Sequence, residues 1–186
     1  MNLNLYLFEL LNNIIYRSTV LDHVVYFLAE PFGLIVIGCA ILTLCIIFLK
    51  DVRMHINNKA IFTEMITIVI SMSTAWIVSV IIKTITHIPR PFLAHPSSQL
   101  LFLYGGYNSF PSGHATVFFA LATAIYFYNR FAGIVFYVCA ILISLSRVAS
   151  GIHYPIDIIV GAFIGVVIGR LAFMVLQKTL KNKSLN

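Results

Sequence analysis

The chain has 186 residues, 60% of them hydrophobic and only 10% charged, with a mean hydropathy of +0.97. An ordinary soluble domain has an apolar share nearer about half, so this composition excludes one. The formal charge of +6 is gathered in short segments between apolar runs, as topology signals are, and no basic stripe with interleaved aromatics marks a nucleic-acid partner.

The expected class is all-α: one integral membrane domain over residues 1–186, because the apolar stretches are too long for barrel strands and do not alternate. Residues 1–19 mix leucines with asparagines and carry neither a basic start nor a small-residue cleavage site. They read as a short helix lying in the membrane interface or as a frayed terminus. Val20–Ala29 is a helical run closed by Glu30 and Pro31, and Pro31 breaks or kinks it. Gly33–Leu49 follows and is almost wholly apolar. At 1.5 Å per residue it reaches roughly 26 Å, short of the roughly 30 Å hydrocarbon core, so the first span starts before Pro31 and runs through the kink. Asp22 and Glu30 flank it on the outer side and either cap or contact the site, with capping or solvation the expected role.

Lys50–Lys59 is a basic loop, and Ile61–Ile82 is the second span. Residues 89–110 form the longest stretch without a helical signal, punctuated by Pro91, Pro96, Gly105 and Gly106. Ser112–Tyr128 is the third span, Asn129-Arg130 a tight turn, Phe131–Leu145 the fourth span, Pro155–Leu176 the fifth, and 178–186 a basic tail. Cys39, Cys45 and Cys139 lie inside apolar runs without metal-ligand spacing and read as small core residues.

Five spans put the loop 50–59, the turn at Arg130 and the tail on one side, and their charge assigns that side to the cytoplasm. The polar stretches 83–91, 107–116 and 146–157 then meet at the opposite, non-cytoplasmic end.

Those three stretches carry the chemistry. Lys83 and Arg90 flank a proline-stiffened turn with no nearby acid, and two such cations need an anionic partner; a phosphate supplies one. Ser112 is a good N-cap, Gly113 lets a ligand approach the backbone, and the free N–H groups of that helix start form an anion site. His114, in the first turn, is placed as a general acid. Arg147 ends the fourth span, where a buried guanidinium needs an anion. His153 and Asp157 share a face if the fifth helix begins near His153, and Asp157 then fixes the imidazole tautomer. His87 and His95 read as surface or core histidines rather than accessory contacts, and Tyr104, Tyr107 and Phe110 as an interfacial belt rather than the lining of a lipid entrance.

Read together, K-x6-R-P at Lys83–Pro91, P-S-G-H at Pro111–His114 and S-R-x5-H-x3-D at Ser146–Asp157 resemble the three-part signature of the type-2 phosphatidic acid phosphatase superfamily, in its membrane-integral branch. The short chain, Ser18–His23 and Arg90–His95 resemble, within it, the bacitracin-resistance type of undecaprenyl-diphosphatase, although members of that branch often lack the Lys of the first motif and carry Asp at the Gly113 position. The resemblance implies that His153 attacks phosphorus, Asp157 orients it and His114 protonates the departing oxygen, while Lys83, Arg90, Ser112, Gly113 and Arg147 hold the phosphate. It implies a lipid phosphate or diphosphate as substrate. No cofactor is expected and no metal, since three fixed cations replace one and only Asp157 among the acids lies in a motif.

Undecaprenyl diphosphate is the leading substrate, with phosphatidylglycerophosphate, phosphatidate or lipid A phosphate as alternatives. A non-enzymatic lipid-phosphate binding or transport protein is the reading from another class. Charges at one membrane end rather than the midplane argue against a transport path. Oligomeric state leaves no mark in the sequence.

Overall fold

A computed structural model describes residues 3–54 and 58–183. The side chains of Lys50, Arg53, Lys59, Lys181 and Lys183, on which part of the topology expectation rests, lie outside the described residues. Among the described residues the fold is all-helical: α1 Leu3–Asn12, α2 Thr19–Ala29, α3 Pro31–Met54, α4 Asn58–Thr86, α5 Pro91–Ala94, α6 Gly113–Tyr128, α7 Arg130–Ala149 and α8 Pro155–Lys183.

The outer surface is apolar and the interior is partly polar. Leu34, Leu42, Val69, Trp76, Val138, Phe163 and Val175 are exposed, while Thr67, Ser71, Ser79, Thr116, Thr123 and Ser144 are buried. That inversion suits a solvent of lipid tails. All of these hydroxyls but that of Ser144 turn back on the preceding turn: Thr67 donates to the Thr63 carbonyl at 2.7 Å and Ser71 to that of Thr67 at 2.6 Å.

Three helices, α4 over Phe62–Thr86, α7 and α8 over Pro155–Lys178, are long and apolar enough to cross a membrane. The bent pair α2 and α3 makes a fourth candidate if counted as one span. Its bend is 45° at the break between Ala29 and Pro31, where proline was expected to interrupt the run. The expected third span is α6, an apolar helix of only 16 residues.

α6 is the centre of the bundle, walled by α4, α7 and α8. Its Ala115, Ala120, Leu121, Ala122 and Ala124 are wholly buried. Small residues on α8 make this approach possible. Gly161, Gly165 and Gly169 repeat every four positions and so lie on one face. A Cβ at Gly161 would meet the Ser112 carbonyl oxygen at 2.8 Å, one at Gly165 the Thr116 carbonyl oxygen, and one at Gly169 the Ala120 carbonyl oxygen at 2.8 Å.

The tight turn between α6 and α7 is made by Asn129 alone. Its N–H donates to Ile125 at the end of α6, and its Oδ1 accepts from Ala132 N–H at the start of α7.

Several expectations need correction. α7 runs to Ala149 rather than Leu145, and Arg147 lies in its last turn, at the end of the span as expected. Cys39 and Cys45 are exposed on α3, which turns Val36, Ala40 and Leu44 inward at helical spacing. α1 is neither frayed nor free. Phe8 is buried against the Tyr154 ring, and the Asn12 amide donates to the carbonyls of Gln99 and Ala149 while accepting from Gln99 N–H. Asn4 Oδ1 accepts from Ile156 N–H at 3.0 Å, which occupies one open donor at the start of α8.

Candidate active site

The three polar stretches meet at one end of the bundle. Lys83 is in the last turn of α4, Gly113 and His114 open α6, Arg147 is in the last turn of α7, and Asp157 is in the first turn of α8. Arg90 comes from the connection between α4 and α6. An antiparallel clip holds its backbone: Arg90 N–H donates to Tyr107 O at 3.1 Å and Ser109 N–H to Ile88 O at 2.7 Å. This clip brings the first motif against the approach to the second.

His153 sits in the turn between α7 and α8, 1% exposed. Gly151 makes that turn with φ of 86°, and a Cβ there would strike the Gln99 carbonyl oxygen. The helix then starts at Pro155, later than the shared-face pairing of His153 and Asp157 requires. The pairing forms another way. Asp157 Oδ2 reaches back from the first turn and accepts from Tyr154 N–H at 2.8 Å, a capping contact. The same oxygen lies 3.3 Å from His153 Nδ1 and accepts from the Ser109 hydroxyl. The imidazole is therefore directed with Nδ1 toward the carboxylate and Nε2 toward Arg90, whose Nη1 is 3.2 Å away. Arg90 is itself held by the carbonyls of Gly106, from Nε at 2.9 Å, and Ile152, from Nη1 at 2.7 Å.

Arg147 is fully buried, at 0% exposure. Its Nη1 donates to the Ala29 carbonyl at 2.8 Å and to Glu30 Oε1 at 2.7 Å. Its Nε and Nη2 are buried and have no partner. Buried guanidinium donors without acceptors are costly, and an anion is the group that relieves them. The Tyr104 ring lies between the two arginines, 4.5 Å from Arg90 Cζ and 4.8 Å from Arg147 Cζ. Lys83 Nζ donates to the carbonyls of Asn108 and Ser109 at 3.3 and 3.0 Å.

A cleft of about 340 Å³ opens between α3, α4 and α6. Lys83, Arg90, Tyr104, Gly113, His114 and His153 line one part of it; Leu34, Ile37, Trp76, Val80 and Val117 line the rest. A Cβ at Gly113 would only touch Ser79 and Lys83 at ordinary contact distance, so the glycine keeps the cleft open rather than relieving a clash. Ser112 lies beneath the cleft, fully buried; its hydroxyl faces Ala115 N–H at 3.5 Å and its own N–H donates to the Asp157 carbonyl. It joins the starts of α6 and α8. His87 is exposed and His95 stacks edge-on against Tyr154, outside the cleft.

Three residues lie at the site against the favoured reading of the sequence or without any. Glu30, expected to cap or be solvated, is paired with Arg147; the only signal was an acid beside a proline at the outer end of a span. Asp22 does hold a turn, accepting from Tyr16 N–H at 2.8 Å. Tyr104, expected in an interfacial belt, is wedged between two guanidinium groups. Ser109 had no signal separating it from other serines.

Known proteins resemble this arrangement. The PAP2 superfamily matches residues 64–181. A protein of Bacillus licheniformis named bacitracin transport permease protein BcrC is 30% identical over 95% of this chain and 82% of its own length. The undecaprenyl-diphosphatase BcrC of Bacillus subtilis is 26% identical over 92% of this chain and 83% of its own. The crystal structure of Aquifex aeolicus LpxE superposes with a TM-score of 0.75 at 27% identity, covering 94% of this chain and 96% of that one. The match spans well over half of the sequence and takes in all three polar stretches, and on that ground the chain belongs to the PAP2 superfamily.

Proposed function

We propose that this chain is a membrane lipid phosphatase that hydrolyses the terminal phosphate of undecaprenyl diphosphate, the activity named for the Bacillus subtilis relative. The observation that carries the reading is the line Asp157–His153–Arg90 at the cleft, beside an Arg147 with unpartnered buried donors. Asp157 holds the Nδ1 proton, which leaves the Nε2 lone pair to attack phosphorus. The bond from Nε2 to phosphorus forms as the bond to the bridging oxygen breaks, and His114 gives that oxygen a proton. His114, now neutral, takes a proton from water; the hydroxide attacks the phosphohistidine, Nε2 leaves, and inorganic phosphate is released. Lys83, Arg90, Arg147 and the N–H groups at Gly113 and His114 hold the non-bridging oxygens, so the transfer runs on positioning and charge neutralisation.

Five crossings, with α6 as the third, set this cleft on the non-cytoplasmic face. Arg130, at the start of α7, and Lys178, late in α8, occupy the other end.

Purified protein supplied with undecaprenyl diphosphate, phosphatidylglycerophosphate, phosphatidate and lipid A phosphate in the presence of EDTA is expected to release phosphate fastest from the first. His153→Ala is expected to abolish release, and His114→Ala to accumulate an acid-labile, base-stable phosphoryl label. A transport protein, which the name of the Bacillus licheniformis relative suggests, would release none while still binding lipid.

A further inference from the structure

Arg147 is held from behind by the elbow between α2 and α3. A guanidinium has five N–H donors: two on Nη1, two on Nη2 and one on Nε. Both Nη1 hydrogens have acceptors here, the Ala29 carbonyl and Glu30 Oε1, contributed by adjacent residues at the break. Tyr104 covers one face of the group. What remains is the Nε–Nη2 edge, buried and without a partner. That edge is the two-pronged fork that matches a pair of phosphate oxygens. The elbow therefore uses up the donors that would compete with the fork and fixes the plane in which it lies.

Glu30 is suited to this task. Its side chain is 38% exposed, so its carboxylate is still hydrated while it meets a guanidinium that is fully buried. The backbone N–H of Glu30 donates to Tyr26 O at 3.0 Å and closes α2, which ties the carboxylate to a helix end rather than to a loose loop. Glu30 also lies outside the stretch 64–181 that the superfamily matches.

We propose that Glu30 is a positioning residue for phosphate recognition: with the Ala29 carbonyl it clamps Nη1 of Arg147 and presents the Nε–Nη2 fork to a phosphate group, making the α2–α3 elbow part of the site. This rests on the phosphatase reading for its catalytic consequence, and on anion binding alone for its geometry.

The test compares wild type, Glu30→Gln and Glu30→Ala as full chains in detergent. Inorganic phosphate is the binding probe, read by 31P line broadening, and undecaprenyl diphosphate the substrate. Glu30→Ala frees the guanidinium and is expected to lower both phosphate affinity and kcat by about tenfold or more, as a misplaced binding group does. Glu30→Gln keeps an oxygen at the same reach and is expected to stay within about fivefold of wild type in both, because a neutral acceptor is weaker than a charged one. A carboxylate acting only as a competing anion would give the opposite sign, with tighter phosphate in both variants, and that result overturns the proposal. So does wild-type behaviour of Glu30→Ala, or a Gln variant as poor as the Ala one. If Glu30→Ala does not fold, Glu30→Asp, with the charge kept but the reach shortened, must show the loss of phosphate affinity. A wild type that releases no phosphate from any lipid removes the phosphatase reading, while the 31P comparison still decides the role of Glu30.

Discussion

His153 is the residue whose surroundings say most about its state. Burial first, then the cations Arg90, Lys83 and Arg147, push its imidazole well below the usual range. The neutral ring keeps the lone pair that an attack on phosphorus needs. In a chain carrying 13C- and 15N-labelled histidine, the ring shifts of His153 are expected to remain those of a neutral imidazole at about pH 6, where a free ring is mostly protonated. A charged pattern there contradicts the assignment. The sign for stability follows: the unfolded chain takes up this proton before the folded one, so His153 withdraws stability as pH falls below about 6.5. Six of the candidate site residues, Lys83, Arg90, His114, Arg147, His153 and Asp157, are charged or imidazole groups, which are scarce in a chain with 10% charge and therefore conspicuous; Ser112 and Gly113 were legible only as a helix start. For Glu30 and Tyr104 the site role was the less favoured reading, and Ser109 was not singled out, because what matters in them is a partner more than a chemical type. Glu30 meets Arg147 across 117 positions, and Ser109 meets Asp157 across 48.

Among the elements, α6 and α8 decide where the chemistry is placed. They start side by side, joined by Ser112 N–H to Asp157 O at 3.0 Å, and the glycine face of α8 keeps them close along their length. A methyl group at Gly165 would meet the Thr116 carbonyl, a backbone atom that cannot move alone. Gly165→Ala is therefore expected to lower stability by about 1–3 kcal/mol, as overpacking does, measured by thermal unfolding in detergent. An unchanged midpoint would mean that α8 slides freely against α6. Helix centres were readable from the sequence, since apolar runs and prolines mark them. The ends were not: α4 and α7 both extend past their apolar runs, to Thr86 and Ala149, and the added turns carry Lys83 at the cleft and the buried Arg147. The docked position of α1 was equally hidden, for its partners are distant in the chain: Tyr154 for Phe8, Ile156 for Asn4, and Gln99 and Ala149 for Asn12.

At the scale of the whole molecule, the functional groups occupy one end, and the alternation of apolar runs was enough to foresee that convergence. The side they face is testable. Tyr107 is 78% exposed beside Arg90 and the cleft. With Cys39, Cys45 and Cys139 replaced by serine, Tyr107→Cys is expected to react with an impermeant maleimide added outside intact cells. Labelling only after the membrane is opened would reverse the orientation. The modest length of α6 has a further consequence. Sixteen residues rise about 24 Å, some 6 Å less than a typical hydrocarbon layer. When the Tyr128 end of α6 is level with one boundary of that layer, its first turn lies below the other, at the bottom of a dimple. A lipid can then lower its head group into this depression with its chains still among their neighbours, and no extraction step is required before hydrolysis.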